Sequence, residues 1–115
     1  HNRLLASVTS DAATRREIAR AISGKLGSAT GPVAFILPAG GIQQWDREGE
    51  PLHEPEALAA FVEAMRASVP AKVEMHEIAA HINDADFAAK ALEIFDRWVA
   101  EGVIPPGKPR DREAA

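Results

Sequence analysis

Residues 33–56 decide the fold of this chain, and they read Val33-Ala-Phe-Ile-Leu-Pro-Ala-Gly-Gly-Ile-Gln-Gln-Trp-Asp-Arg-Glu-Gly-Glu-Pro-Leu-His-Glu-Pro-Glu56. The apolar run at residues 33–37 is rich in β-branched and aromatic side chains, which is typical of a strand buried on both faces. A glycine turn follows at Gly40-Gly41, and Pro55 suits the first position of a helix. A buried strand, a turn and a helix start form the corner at which open α/β sheets bind ligands. We therefore expect any functional chemistry to lie at this corner.

A strand and a helix are predicted ahead of the central strand. Residues 4–8 are a short apolar stretch and a candidate first strand. Thr9-Ser10-Asp11 supplies N-cap hydroxyls and a first-turn carboxylate for a helix that Gly27 ends. Apolar residues one turn apart form its predicted core face, and the charged residues between them are assigned to solvent. The predicted core residues are Ile18, Ile22 and Leu26, and the predicted solvent-facing residues are Arg15, Arg16, Glu17 and Arg20.

Two further helices and one strand are predicted after the corner. A helix is predicted over residues 55–68 from an apolar stripe with a helical period, which consists of Leu58, Phe61, Val62, Met65 and Val69. Residues 72–78 alternate between apolar and polar side chains, which predicts a strand near an edge of the sheet. Asn83 and Asp84 are natural caps for a last helix, whose apolar stripe extends toward Gly102.

The order β-α-β-α-β-α predicts the fold class, a three-layer Rossmann-like α/β arrangement with parallel strands at residues 4–8, 33–37 and 72–78. Three strands make a thin parallel sheet, so we expect them to be part of a larger one. The expected domain covers residues 1–102, and the Pro-rich, charged residues 103–115 are predicted to be disordered.

Composition excludes several classes of protein. The chain has 115 residues, 46% of them hydrophobic and 26% charged, as in an ordinary single globular domain. A formal net charge of −4 argues against a nucleic-acid partner. No apolar run approaches the roughly 20 residues of a membrane span. Cysteine is absent, which excludes disulfides and thiolate metal sites and is compatible with the cytoplasm, the expected location.

Two strand-to-helix corners carry the candidate site residues, because all such corners of a parallel sheet emerge at its carboxyl edge. The predicted ligand-binding residues are Gly40, Gly41, Gln43, Asp46, Asn83 and Asp84, and the predicted acid or base is His81.

Each of these assignments has a structural alternative. The Gly40-Gly41 amides can receive an anion, or the pair can form a tight turn that needs a positive φ. His81 can transfer protons, or it can be the neighbour of an Asx cap. Asp46 and Glu56 can hold a hydrated Mg²⁺ ion, or act as capping carboxylates. Apart from this, no metal-ligand spacing is recognisable.

Two stretches of the sequence resemble a known family. Leu37-Pro38-x-x-Gly41-Ile42 followed by Asp46, Gly49, Pro51 and Pro55-Glu56-Ala57 is the first, and Ala80-His81-Ile82-Asn83-Asp84 with Phe87-Ala88 is the second. Together they resemble the carboxyl-terminal portion of the Tm-one-like ATP-binding family, where Gln43 replaces a family serine. The resemblance covers most of residues 1–101 and implies nucleotide binding, with ATP as the cofactor, and dimerisation.

Three functions follow as hypotheses. The first is a nucleotide-binding α/β domain that is part of a larger protein. The second is an enzyme domain that acts on a small carboxylate or phosphorylated metabolite through His81. The third is a structural half-domain that assembles with an upstream domain of the same protein or with a second copy, as a homo-oligomer. Whether the chain is an enzyme stays open at this point.

Overall fold

The computed structural model describes residues 8–108, which form three α-helices and a two-stranded parallel sheet. In chain order the elements are α1 (Ala12–Gly27), β1 (Ala34–Pro38), α2 (Pro55–Ser68), β2 (Glu74–Ile78) and α3 (Ala85–Ala100). The predicted α/β class is confirmed, whereas the described residues do not show a full three-layer Rossmann-like sheet. Apart from Val8, the predicted first strand at residues 4–8 lies outside the described residues, and so does the end of the predicted tail, residues 109–115.

The sheet consists of β1 and β2, paired in parallel from Ala34 opposite Glu74 to Pro38 opposite Ile78. The pairing continues beyond the strands, because the Ala39 amide donates to the Ile78 carbonyl at 2.9 Å and Gly41 bridges to His81. The loops that follow the two strands therefore leave the sheet side by side.

The core lies between α1, α2 and one face of β1. Leu37 and Met65 are fully buried, and Phe61 and Val62 pack with them. The predicted stripe on α2 is confirmed, because Leu58, Phe61, Val62 and Met65 are all buried. Pro55 occupies the first turn of α2, as predicted.

The predicted core face of α1 is confirmed only in part. Ile22 and Leu26 are half-buried and pack against the core, but Ile18 is 41% exposed. The fully buried residues of the helix are Arg15, Ala19 and Ser23. The small side chains of Ala19 and Ser23 let α1 approach α2 closely, and the Ser23 and Ser68 hydroxyls are 2.7 Å apart. Arg15 is buried because an ion-pair partner faces it from the β1–α2 loop. The predicted end of α1 at Gly27 is confirmed. The predicted hydroxyl cap is wrong, because Asp11, which was expected in the first turn, is itself the N-cap and accepts from the Thr14 amide at 2.8 Å.

Alternate residues of β2 contact different helices. Glu77 pairs with Arg66 of α2, and Glu74 pairs with Arg97 of α3. Helix α3 packs on β1. Ile94 is its one buried residue, and Leu92 and Phe95 are exposed. Within residues 8–108 no helix is both long enough and apolar enough to cross a membrane.

Candidate functional site

The carboxyl edge of the sheet is built from two loops that hydrogen-bond to each other. After β1, the Gly40 amide donates to the Ala80 carbonyl at 3.0 Å, and the Gly41 carbonyl accepts from the Ile82 amide at 2.9 Å. These bonds bring the predicted site residues of both corners to one place, as the parallel topology requires.

The two glycines are needed for this close approach. A Cβ at Gly40 would lie 2.7 Å from the Ala80 backbone, and a Cβ at Gly41 would lie 2.4 Å from the Asp46 carbonyl oxygen. Gly41 also has a backbone φ of 141°, which residues with a side chain rarely adopt. The Gly41 amide donates to the Pro38 carbonyl at 3.2 Å, so both amides are engaged within the protein. The geometry favours the tight-turn interpretation, and anion binding by these amides stays a prediction.

His81 is held at the centre of the two loops and is only 2% exposed. Its Nε2 lies 2.8 Å from the Gln43 carbonyl oxygen, so Nε2 carries a proton and donates it. Its Nδ1 accepts from the Asn83 amide at 3.0 Å and lies 3.1 Å from Nη2 of Arg47. Because Nδ1 accepts hydrogen bonds while Nε2 donates one, the arrangement describes a neutral imidazole. The ring joins the two loops through these bonds. Proton transfer by His81 stays a prediction that this geometry does not favour.

Asp84 stabilises the same junction in a way that the sequence did not reveal. Although it occupies the N-cap position of α3, its carboxylate makes no capping bond to that helix, so the predicted side-chain cap is wrong. Its Oδ2 instead accepts from the His81 amide at 2.9 Å, and its Oδ1 accepts from Arg47 at 2.9 Å. These two bonds, the His81 amide first, lower the pKa of Asp84 below its ordinary value.

The two uncharged polar side chains of the predicted site, Asn83 and Gln43, each bond to a residue of the β1–α2 loop. The Asn83 side-chain amide donates to Oε1 of Gln44 at 2.9 Å. Gln43 lies on the same loop, where its side-chain oxygen accepts from the Trp45 amide at 3.2 Å. These amide groups are the uncharged hydrogen-bonding groups of this edge.

A buried ion pair anchors the β1–α2 loop to α1. Arg15 and Asp46 are 3% and 0% exposed, and Nη1 of Arg15 lies 2.9 Å from Oδ2 of Asp46. Sequence reasoning placed Arg15 in solvent, although its spacing of four from Ala19 and eight from Ser23 is a helical face. Arg15 was assigned to solvent because its side chain is charged, although this spacing indicates a buried face.

The second oxygen of Asp46 faces His53, which sequence reasoning also missed. Oδ1 of Asp46 and Nδ1 of His53 are 3.6 Å apart, and each is a buried atom without a hydrogen-bond partner. The distance is longer than a hydrogen bond. Among residues 8–108 no group of three or more His, Asp or Glu side chains is arranged to hold a metal ion. Because Asp46 is enclosed and paired with Arg15, it does not offer Mg²⁺ an open carboxylate, and the Mg²⁺ assignment stays a prediction.

Beside this junction lies a crevice of about 390 Å³, open to solvent. Its walls are residues 8–10, which precede α1, and residues of the loop that follows β1. Polar lining groups come from Thr9, Ser10 and Gln43, and an aromatic wall comes from Trp45. Trp45 is the surface of this crevice on which a planar ligand would stack.

Comparison with known proteins fixes the family. A family model described as the carboxyl-terminal domain of the uncharacterised protein family UPF0261 matches residues 1–99. The chain belongs to the UPF0261 family. The resemblance to the Tm-one-like ATP-binding family is therefore corrected, because neither this match nor the relatives' names link the chain to that family.

Several UPF0261 proteins are similar over most of the chain. One from Brucella melitensis biotype 1 is 56% identical over 107 residues, which is 93% of this chain and 26% of that protein. One from Rhizobium meliloti is 34% identical over 80 residues, which is 68% of this chain and 20% of that protein. The chain thus spans about a quarter of the length of these UPF0261 relatives, where it corresponds to a carboxyl-terminal domain.

Proposed function

We propose that this domain binds the nucleoside end of a nucleotide in the crevice at the carboxyl edge of its sheet, as part of a longer three-layer Rossmann-like protein. The observation that carries the proposal is the position of the crevice. It lies between the segment before α1 and the loop after β1, where the corners of a parallel sheet converge.

The lining of the crevice supports this class of ligand. Trp45 and Ile42 offer an aromatic and an apolar surface, and a base stacked on an aromatic side chain is stabilised by about 1–3 kcal/mol. Thr9, Ser10 and Gln43 offer hydroxyl and amide groups of the kind that bind a ribose. A volume of about 390 Å³ is within the range of small-molecule sites.

The charges limit which part of the nucleotide this domain would hold. The guanidinium of Arg15, at the crevice wall, is already paired with Asp46, and Arg47 is paired with Asp84. The chain as a whole has a formal net charge of −4. Both features oppose a triphosphate, so the phosphates would point away from this domain toward the remainder of a longer protein.

Tryptophan fluorescence tests the proposal, because the chain has two tryptophans and only Trp45 lines the crevice. The chain is titrated with adenosine, ADP and ATP, and the affinities are measured independently by calorimetry. We expect a change in emission that saturates, with comparable affinity for adenosine and ATP, because the phosphates add little.

The matched pair of variants is Trp45→Phe and Trp98→Phe, the second of which alters the tryptophan on α3. Trp45→Phe should remove the fluorescence change and weaken the calorimetric affinity, whereas Trp98→Phe should leave both intact. Absence of binding in both assays, or a response that only Trp98→Phe removes, would contradict the proposal.

A further inference from the structure

His53 lines a cavity that is separate from the crevice beside Trp45, because the two have no lining residue in common. The cavity has a volume of about 300 Å³ and is open to solvent. Most of its wall is apolar and comes from α2 and from the residue that follows β1. The apolar lining residues are Ala39, Pro55, Leu58, Ala59 and Val62.

The two ring nitrogens of His53 have different surroundings. Nδ1 lies 3.6 Å from Oδ1 of Asp46, and these are the side-chain atoms of residues 8–108 that are buried and have no hydrogen-bond partner. Nε2 makes no hydrogen bond within the same residues and is not among the buried atoms, so solvent reaches it. Because His53 lines the cavity, Nε2 is the nitrogen that a ligand there would meet.

Asp46 determines which form of the His53 ring suits a ligand. Its carboxylate is fully buried and held by Arg15 through Oδ2, so Oδ1 is a fixed acceptor that faces Nδ1. A neutral imidazole carries one proton, and an imidazolium carries one on each nitrogen. A proton on Nδ1 suits Asp46 but leaves a lone pair on Nε2. A ligand oxygen at Nε2 therefore requires the second proton, and the positive charge that comes with it favours an anionic ligand.

Arg66 of α2 supplies a second donor to the cavity. Its bonds to Glu77 use Nε and Nη2, and Nη1 makes no hydrogen bond within the part of the chain that the structure describes. Guanidinium groups bind carboxylates well. The cavity thus combines an imidazole nitrogen and a guanidinium N–H with an apolar wall.

The charges around the cavity limit the ligand to one negative charge. The Arg15–Asp46 pair is neutral as a whole, and so is the pair that Arg66 makes with β2. Protonation of His53 adds one positive charge, which the exposed Glu63 at the cavity opposes. A monocarboxylate balances that single charge, whereas a phosphate dianion brings one negative charge in excess.

We propose that this cavity binds a small monocarboxylate with an apolar chain, whose carboxylate accepts from Nε2 of a protonated His53 and whose chain packs on Leu58 and Val62. Asp46 accepts from Nδ1 of the same ring. The site takes up a proton from solvent together with the ligand. Its affinity is therefore highest in acid and falls as pH rises through the range in which histidine loses its charge. The proposal does not depend on nucleotide binding in the crevice.

Sodium butyrate tests the site in NMR titrations of the chain at pH 6 and pH 8, with sodium chloride as the blank at equal ionic strength. Butyrate is ionised at both pH values, so a change in affinity reports on the protein. We expect saturating shifts of the Ala39, His53 and Ala59 amides, and an affinity about fivefold higher at pH 6 than at pH 8. n-Butylamine, which has the same chain and the opposite charge, should not bind, and inorganic phosphate should bind more weakly than butyrate.

Three variants locate the proton and the charges. His53→Gln keeps a hydrogen-bond donor but cannot become charged, so it should remove the pH dependence and weaken binding at pH 6. The matched control is His76→Gln, which removes a histidine that also faces a carboxylate, that of Glu74, but does not line the cavity. It should leave both quantities unchanged. Glu63→Gln should strengthen binding, because it removes the opposing charge.

The remaining outcomes also decide. If His53→Gln does not fold, the ring signals of the unmodified chain are followed instead. Butyrate should then move the charge change of the His53 ring to higher pH and leave that of His76 in place. Absence of saturable binding, equal butyrate affinity at the two pH values, tighter binding of phosphate, or a pH dependence that His53→Gln retains would overturn the proposal.

Discussion

The two outer edges of the sheet differ in their surroundings. Charged pairs flank β2 on both faces, with Arg66 and Glu77 on the α2 side and Arg97 and Glu74 on the α3 side. Isoleucine and phenylalanine side chains flank β1 on both faces instead. Charge beside an edge strand opposes the addition of another strand, whereas apolar cover on both faces favours it.

From this difference we infer that a further strand would add beside β1 and not beside β2. A larger sheet would also account for the exposed apolar residues Leu92, Phe95 and Val99 on α3, which packs on β1. The UPF0261 relatives are about four times as long as this chain, and we propose that other parts of a longer protein cover that surface.

The largest expected effect concerns the buried ion pair of Arg15 and Asp46. Arg15→Met should lower the free energy of unfolding by about 3–5 kcal/mol, because it leaves the enclosed Asp46 carboxylate without its cation. Urea denaturation measures the loss. The matched control is Arg16→Met, at the exposed neighbouring position, which should be nearly neutral. If both variants lose little unfolding free energy, Arg15 is not buried. The distinction between its buried ion pair and the more exposed pairs beside β2 would then be wrong.

The second prediction compares the two edges with one substitution. Ile36 and His76 are register partners that point to the same face, one on each strand. Ile36→Asn should cost about 2–4 kcal/mol of unfolding free energy if a further strand lies beside β1, because it buries an unpaired amide and removes apolar contacts. His76→Asn should cost clearly less, since it loses only a half-exposed contact with Glu74. Equal costs in urea denaturation would remove the distinction between the edges.

Acid should weaken the ion pairs beside β2. Hydrogen bonds from His76 and Arg97 hold the pKa of Glu74 below its ordinary value of 4.5, and Arg66 does the same for Glu77. A carboxylate with a lowered folded-state pKa contributes stability above pH 4.5 that is lost as pH falls through the folded pKa. The contribution of Glu74 and Glu77 to stability, measured by thermal melting, should therefore be constant from pH 7 to 5 and decrease below pH 4.5. The double variant Glu74→Gln/Glu77→Gln should lose part of that decline, and an unchanged acid profile would contradict the prediction.

The smallest effect is expected on α3. Leu92 is 63% exposed, so Leu92→Lys should change the unfolding free energy of this chain by less than about 0.5 kcal/mol. Urea denaturation at two protein concentrations makes the measurement. A loss well above that value, or one that depends on concentration, would show that a second copy already covers this face.

The sequence predicts the regular part of this fold well. The bounds of α2 and the end of α1 follow from the spacing of apolar residues and from Pro55 and Gly27, which are local signals. The alternation at residues 72–78 predicts β2, which covers Glu74–Ile78, while the place of β2 at the edge of a larger sheet stays a prediction. These features depend on neighbours along the chain, so a single sequence contains them.

The site is less predictable, because its contacts are long-range. The seven predicted residues lie at one edge, as the parallel topology requires, but their partners were not foreseen. Nothing near Arg15 in the sequence indicates that Asp46 will neutralise it, and polarity assigns it to solvent. Likewise Asp84 has the local signature of a cap, and its carboxylate bonds to the His81 amide and to Arg47 because the two loops meet in space.

Amide exchange of the unmodified chain tests the contrast between the edges most directly. Successive residues of a parallel pair alternate between the two sides of a strand. The Ile36 amide therefore points to the outer side of β1, and the Glu77 amide points to the outer side of β2. Exchange rates measured by NMR should show Ile36 strongly protected at every protein concentration and Glu77 exchanging nearly as fast as an unfolded peptide. Fast exchange at Ile36, or equal protection at the two positions, would contradict the inference that a further strand adds beside β1 and not beside β2.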